Sequence, residues 1–287
     1  VIAPDHFTRF AAIDWSGAKG SRHRGIAVAM CAAGDAAPVL VEAPNGIWSR
    51  TDALRWVEAQ ADTPTLIGFD FSFAPPIVER SAYLPGEETP ATARRFWAYV
   101  DAHCPDEDLG AASFLEARRG THFYLGAADG VKARFMHFRR CEAHYNANGG
   151  GKPSTVYDAI GAAQVAKASF AGMRLLHHLG ENVPVWPFDP VPDKGALVVE
   201  IYTAIAARAA GMRKGRSKVR EAEALDAALA QFDSRPHAPL IRYDDHATDA
   251  ILTSAWLRRH AGRNEYWNPT ALTPAAAQGE GWTFGVI

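Results

Sequence analysis

The chain has 287 residues, enough for one large domain or two modest ones around a substantial core. Hydrophobic residues make up 48%, charged residues 22%, and the formal net charge is −2, so any basic surface for nucleic acid or an anionic membrane must be local. No apolar run approaches the roughly 20 residues that span a bilayer, no leader of a basic stretch followed by an apolar one is visible, and Cys31, Cys104 and Cys141 form no C-x-x-C pair; a cytoplasmic protein with reduced thiols and no membrane contact is expected.

Phe7 to Ile13 and Gly25 to Cys31 are β-type apolar runs around a polar turn containing Gly17 and Gly20, which predicts a hairpin. Val39 to Ala43 supplies a third strand. Ser49 is placed to cap a helix over about 50–61, with Leu54, Val57 and Ala61 on one face. Thr65 to Phe73 reads as a buried strand stopped by Pro75 and Pro76. From 76 to 194 the character changes. Helical stretches near 90–103 and 155–179 lie among Gly- and Pro-rich turns, notably Gly149 to Gly151 and Pro184 to Pro192, and 155–179 is dense in Ala and Gly, as for close packing. Ala196 to Tyr202 returns to strand character. Helices are expected over about 203–211, 217–232 and 246–261, the last burying Ile251, Leu252, Ala255 and Trp256, before an irregular tail beyond 263.

Asp14, Asp70 and Glu200 each lie within or at the end of an apolar strand. A carboxylate buried there costs several kcal/mol unless it is paired or coordinates a metal. If the three strands are parallel neighbours, the acids gather at one sheet edge, and a helix starting at Asp245 brings Asp245 and Asp249, one turn apart, over that edge. Oxygen-only clusters suit Mg²⁺ or Mn²⁺, and a pair of such ions activates water and stabilises the leaving oxygen of a phosphodiester. Taken singly, each acid has an ordinary alternative. Asp14 can cap a turn, Glu200 can pair with an arginine such as Arg174, and Asp245 can be no more than the cap of its helix.

Several strings resemble an uncharacterised family of predicted nucleases with a ribonuclease H-like fold. They are Ile-Asp-Trp-Ser-Gly-Ala at 13–18, Gly-Phe-Asp-Phe-Ser-Phe-Ala-Pro at 68–75, Trp-Pro-Phe-Asp at 186–189, Val-Val-Glu-Ile-Tyr-Thr at 198–203 and Asp-Asp-His-Ala-Thr-Asp-Ala at 244–250. The stretch from Val156 to Leu176 and the closing Glu-Gly-Trp-Thr-Phe-Gly at 280–285 are similar too. The resemblance spans nearly the whole chain and implies a single α/β domain over 1–287, with three antiparallel strands followed by parallel strands in a mixed sheet and 76–194 as a mostly helical insertion. It marks Asp14, Asp70, Glu200, Asp245 and Asp249 as candidate site residues without carrying an established reaction; the expected function is a metal-dependent nuclease, with these five acids at the metal and Asp14, Asp70, Glu200 and Asp249 catalytic. One departure is Thr203, where the family string leads one to expect proline after the tyrosine.

Two basic stretches are candidates for phosphate. Residues 201–220 hold Arg208, Arg213, Lys214, Arg216, Lys218 and Arg220 with no acid among them, and 116–140 holds Arg118, Arg119, Lys132, Arg134, Arg139 and Arg140. Lys19, Arg139, Arg140, Arg216 and Lys218 are the expected substrate contacts, and Phe123, Tyr124, Phe135 and Phe138 are candidate base-stackers. His137, Cys141 and His144 have zinc-compatible spacing, with His103 or Cys104 as a remote fourth ligand. His246, beside the acids, can ligate metal, move protons or simply pack. Two other functions fit the same features: a phosphotransferase or ATPase of the actin and sugar-kinase type, with 14–17 as its phosphate hairpin, and a non-catalytic nucleic-acid-binding module. Neither DNA versus RNA nor the oligomeric state, a homodimer included, is decided by the sequence.

Overall fold

A computed structural model describes residues 3, 5–151, 153–160, 165–212 and 219–287. Its centre is a five-stranded sheet ordered β3-β2-β1-β4-β5. β1 (Arg9–Asp14), β2 (Ala27–Ala32) and β3 (Val39–Leu40) form an antiparallel meander, and β4 (Thr65–Phe69) and β5 (Leu197–Glu200) add parallel strands beside β1. The α/β class and the antiparallel-then-parallel order match the expectation.

Both faces of the sheet are covered, and the side-chain alternation along each strand divides the core in two. On one face Ile13, Ile67, Phe69 and Val198 pack with α1 (Arg50–Glu58), α2 (Ala93–Ala102) and α5 (Val165–Leu179). On the other, Phe10, Ala12, Leu66, Leu197 and Val199 meet α6 (Thr203–Ala209), α7 (Ala222–Ala230) and α8 (Asp245–His260). The tail is more regular than expected, with α9 (Asn264–Trp267), α10 (Pro274–Gly279) and a bridge from Thr283 to Glu200. Among the described residues no helix is long and apolar enough to cross a membrane.

Local chemistry sets the boundaries. Ser49 Oγ accepts from the Asp52 N–H at 2.9 Å while the Asp52 carboxylate accepts from the Ser49 N–H, a capping box that starts α1. β4 stops at Phe69 rather than Phe73, because the next turn redirects its amides: Ser72 N–H donates to Ser169 Oγ and Phe73 N–H to Glu200. Residues 155–160 are not helical. Tyr124 N–H donates to Tyr157 O, and Ala159 N–H to Tyr124 O, which ties this stretch to Tyr124 as a short extended pairing within the insertion. Among the described residues, 76–194 also holds α3 (Ala112–Glu116), α4 (Arg140–Ala147) and two single-turn 3-10 helices, Ala127–Asp129 and Lys132–Phe135.

The Ala- and Gly-dense α5 does pack closely. A Cβ on Gly172 would lie 2.3 Å from the Phe71 ring, and one on Gly17 would lie 2.2 Å from the Ala168 amide nitrogen. The turn after β1 therefore rests directly on the helix backbone, and Trp15 Nε1–H fixes it there by donating to Ala168 O at 3.1 Å.

Candidate acidic site

Sheet register decides which acids meet. Ile13 is level with Phe69, and Phe69 with Glu200. Ile13 and Phe69 face the α5 side, so Asp14 and Asp70, one residue later, turn towards α8. The Asp70 N–H donates to Ile13 O at 3.1 Å, which keeps the two strand ends adjacent. From α8, Asp249 approaches the same place. A cavity of about 540 Å³ opens there, with Asp14, Asp70, Asp245, His246 and Asp249 on its wall.

The cluster is electrostatically loaded. Burial, then the neighbouring charges of Asp14 and Asp249, hold the Asp70 carboxyl well above the usual carboxylate range. Thr203 partly offsets this, its hydroxyl donating to Asp70 Oδ2 at 3.3 Å and its backbone amide also binding the carboxylate. A proline at 203 would supply neither donor, so the departure from the expected string adds contacts to the acid site. His246 Nδ1 lies 3.0 Å from Asp14 Oδ1, with the carboxylate as acceptor. The cap of α8 is Asp244, which accepts from the Ala247 N–H at 3.0 Å, so Asp245 is not needed in that role. Asp245 instead faces the exposed Arg220 at 2.9 Å.

Glu200 lines this cavity too, but its carboxylate is engaged by the protein rather than turned towards Asp14 and Asp70. Being level with Phe69, it is one residue out of phase with Asp70 and lies among different partners. Its Oε2 accepts from Phe73 N–H and Arg139 Nη1, and its Oε1 from Arg139 Nη2 and the Thr283 hydroxyl. With four donors on two oxygens, the carboxylate is saturated by the protein. The alternative of an arginine partner holds, but the arginine is Arg139 and not Arg174, which binds Asp101 at 2.7 Å. Arg139, expected at a phosphate, is 1% exposed and gripped by Glu142 and Glu200. Burial works against its charge, but those two acids raise its pKa well above the ordinary value, so it stays a cation inside the fold.

The remaining expected contacts are dispersed. Lys19 makes an exposed 3.8 Å pair with Glu116. The Arg140 amide donates to Glu280, while its guanidinium lies 3.9 Å from Glu79 on the surface. Within 116–140 most cations have their own acid: Arg118 has Glu87, Arg119 has Asp129 and Lys132 has Asp158. Phe123, Tyr124 and Phe135 are buried, leaving only Phe138 of the four aromatics exposed. Arg213, Lys214, Arg216 and Lys218 lie outside the described residues.

Among the described residues no three or more His, Cys, Asp or Glu side chains form a ready-made metal cage. This includes the zinc-spaced trio: Cys141 Sγ accepts from the Thr283 N–H, and His144 pairs with Ile287 O. A second, wider cleft of about 670 Å³ is lined by Trp186, Phe188 and Trp267, and its Asp189 is committed to Arg94 and the Val185 N–H. No family model, curated protein or solved structure matches this chain.

Sequence reasoning missed Tyr202 and Tyr145, both on the wall of the acidic cavity. Tyr202 had a usable signal, since it lies two residues beyond Glu200 at the end of an apolar strand. Tyr145 had none, because its place depends on how the insertion folds back.

Proposed function

We propose that the chain is a metal-dependent phosphodiesterase, best read as a nuclease of ribonuclease H-like fold, with Asp14, Asp70 and Asp249 holding Mg²⁺ or Mn²⁺. The observation that carries this is the register. It sets Asp14 and Asp70 side by side on the face that α8 covers, where Asp249 joins them at a cavity. The donor set fits the ion, since it is all carboxylate oxygen. So does the charge, since Asp70 suffers from burial and from two like charges that a divalent cation would relieve. When bound, such an ion activates water and stabilises the leaving oxygen.

The chain's own residues do the rest. Thr203 orients the Asp70 carboxylate, and His246 orients that of Asp14. Asp245, tethered to Arg220, is an outer carboxylate of the same site. Glu200 and Arg139 hold the end of β5 to the insertion and the tail, so the walls of the cavity keep their spacing. A kinase-like reading is less favoured, because proteins of that type use two related core sheets and the described residues contain one.

The test is cleavage of DNA and RNA oligonucleotides in Mn²⁺. Asp14→Asn and Asp70→Asn should each abolish cleavage with an unchanged circular dichroism spectrum. Parent-like cleavage by both variants overturns the reading.

A further inference from the structure

Where β5 runs into α6, Tyr202 keeps 36% of its surface exposed on the cavity wall, while Ile201 before it is buried. Tyr145 of α4 stands edge-on behind it, with ring centroids 6.0 Å apart and planes at 82°. Arg208 of α6 braces Tyr145. Its guanidinium donates to the Tyr145 hydroxyl at 3.1 Å and to the Gly150 carbonyl, and its centre lies 5.7 Å from the Tyr145 ring centroid. The glycine run makes this arrangement possible. A Cβ on Gly150 would fall 2.3 Å from the Tyr145 ring, and one on Gly151, whose φ is +113°, would fall 2.8 Å from the Arg208 guanidinium. Two backbone positions are thus kept free of side chains to seat Tyr145 on the cavity wall and the arginine that braces it.

Resting on the phosphodiesterase reading, we infer that Tyr202, backed by Tyr145 and flanked by Arg208, is the stacking platform for an unpaired nucleobase attached to the phosphate at the acids. A tyrosine ring standing on its edge-on neighbour offers a flat π-face that accepts any base. A base within a duplex is already stacked and must be released first, so the platform selects single-stranded or unpaired nucleotides. Arg208 adds a local cation, which a chain of net charge −2 needs in order to approach a phosphate backbone. The base and its phosphate can come from a strand or from a free nucleotide.

The test uses the full chain and fluorescence anisotropy in Ca²⁺, with a short labelled single strand and the same strand carrying abasic sites. Tyr202→Ala should weaken the base-bearing strand about ten-fold and leave the abasic strand unchanged, while Tyr202→Phe binds like the parent. Competition by a nucleoside monophosphate at concentrations matching the strand identifies a free nucleotide as the ligand; absence of competition identifies the strand. The inference is overturned if the parent binds both strands equally, if it binds neither, or if Tyr202→Ala loses both alike. The nuclease reading is judged separately by Mn²⁺-dependent cleavage. A chain that cleaves base-bearing and abasic strands equally keeps that reading and loses the platform, whereas base-dependent binding without cleavage does the reverse.

Discussion

Arg139 and Glu200 meet in a two-pronged ion pair, Nη1 to Oε2 at 2.7 Å and Nη2 to Oε1 at 2.5 Å, fully enclosed between β5, the start of α4 and the C-terminal tail. Removing one partner of such a pair leaves a buried charge uncompensated and costs about 3–5 kcal/mol. Arg139→Met should therefore lower unfolding free energy by about that amount in urea titrations. Glu200→Gln should also destabilise the protein, yet leave Mn²⁺ affinity of the folded fraction close to parental. A Glu200→Gln variant of parental stability that has lost Mn²⁺ binding would show that Glu200 is a ligand after all.

Asp70 makes the opposite demand on stability. Its folded pKa is raised above the ordinary 3.8 by burial and by Asp14 and Asp249. Between 3.8 and that raised value the folded carboxyl holds a proton that the unfolded one has released, so metal-free stability falls across that interval and levels off above it. Asp70→Asn should flatten that slope in EDTA and melt above the parent at pH 7. Mn²⁺ at 100 times Kd should stabilise the parent by about 2.7 kcal/mol and the variant by far less. Thermal melts with and without Mn²⁺ check both parts.

Asp108 fastens the insertion to the start of α1. Its carboxylate accepts from the Arg50 and Thr51 amides, each at 2.9 Å, from the Thr51 hydroxyl, and pairs with His23. Burial raises its pKa, but these bonds outweigh burial and bring it to about 2. The stabilisation is fully present above the unfolded value near 3.8 and is lost as pH falls towards 2. Asp108→Ala should cost about 2–3 kcal/mol at pH 7, and the deficit relative to the parent should shrink below pH 4.

Gly17 is a packing requirement. Because a Cβ there meets the Ala168 and Lys167 backbone at 2.2 Å, Gly17→Ala must push the turn off α5. A loss of about 1–3 kcal/mol is expected. Trp15 is anchored to the same helix, so its fluorescence should change with the substitution.

The strands that carry Asp14 and Asp70 were legible because both are apolar runs ending in an acid, and the order of strand, helix and strand constrains their pairing. The face each acid takes was not, since alternation within a strand is readable but the relative register of β4 and β5 is not. That single-residue offset gives Glu200, which still lines the cavity, partners other than Asp14 and Asp70. Its true partner, Arg139, is 61 residues away in a Gly- and Pro-rich insertion, whereas the arginine considered, Arg174, belongs to Asp101. The closing 280–285 string was visible as a pattern, but its reason is tertiary: Glu280 accepts from the Ile77, Val78 and Arg140 amides, and Thr283 reaches Glu200. The basic stretch at 116–140 misled for a similar reason, because the acids that neutralise Arg118 and Lys132, Glu87 and Asp158, lie outside it.

The claim that Asp14, Asp70 and Asp249 form a divalent-cation site is tested most directly by anomalous diffraction from crystals soaked in Mn²⁺. One or two peaks within coordination distance of these three carboxylates, with Glu200 still bound to Arg139, is the predicted result. Peaks only elsewhere, or none at a concentration that saturates binding in solution, would contradict the account.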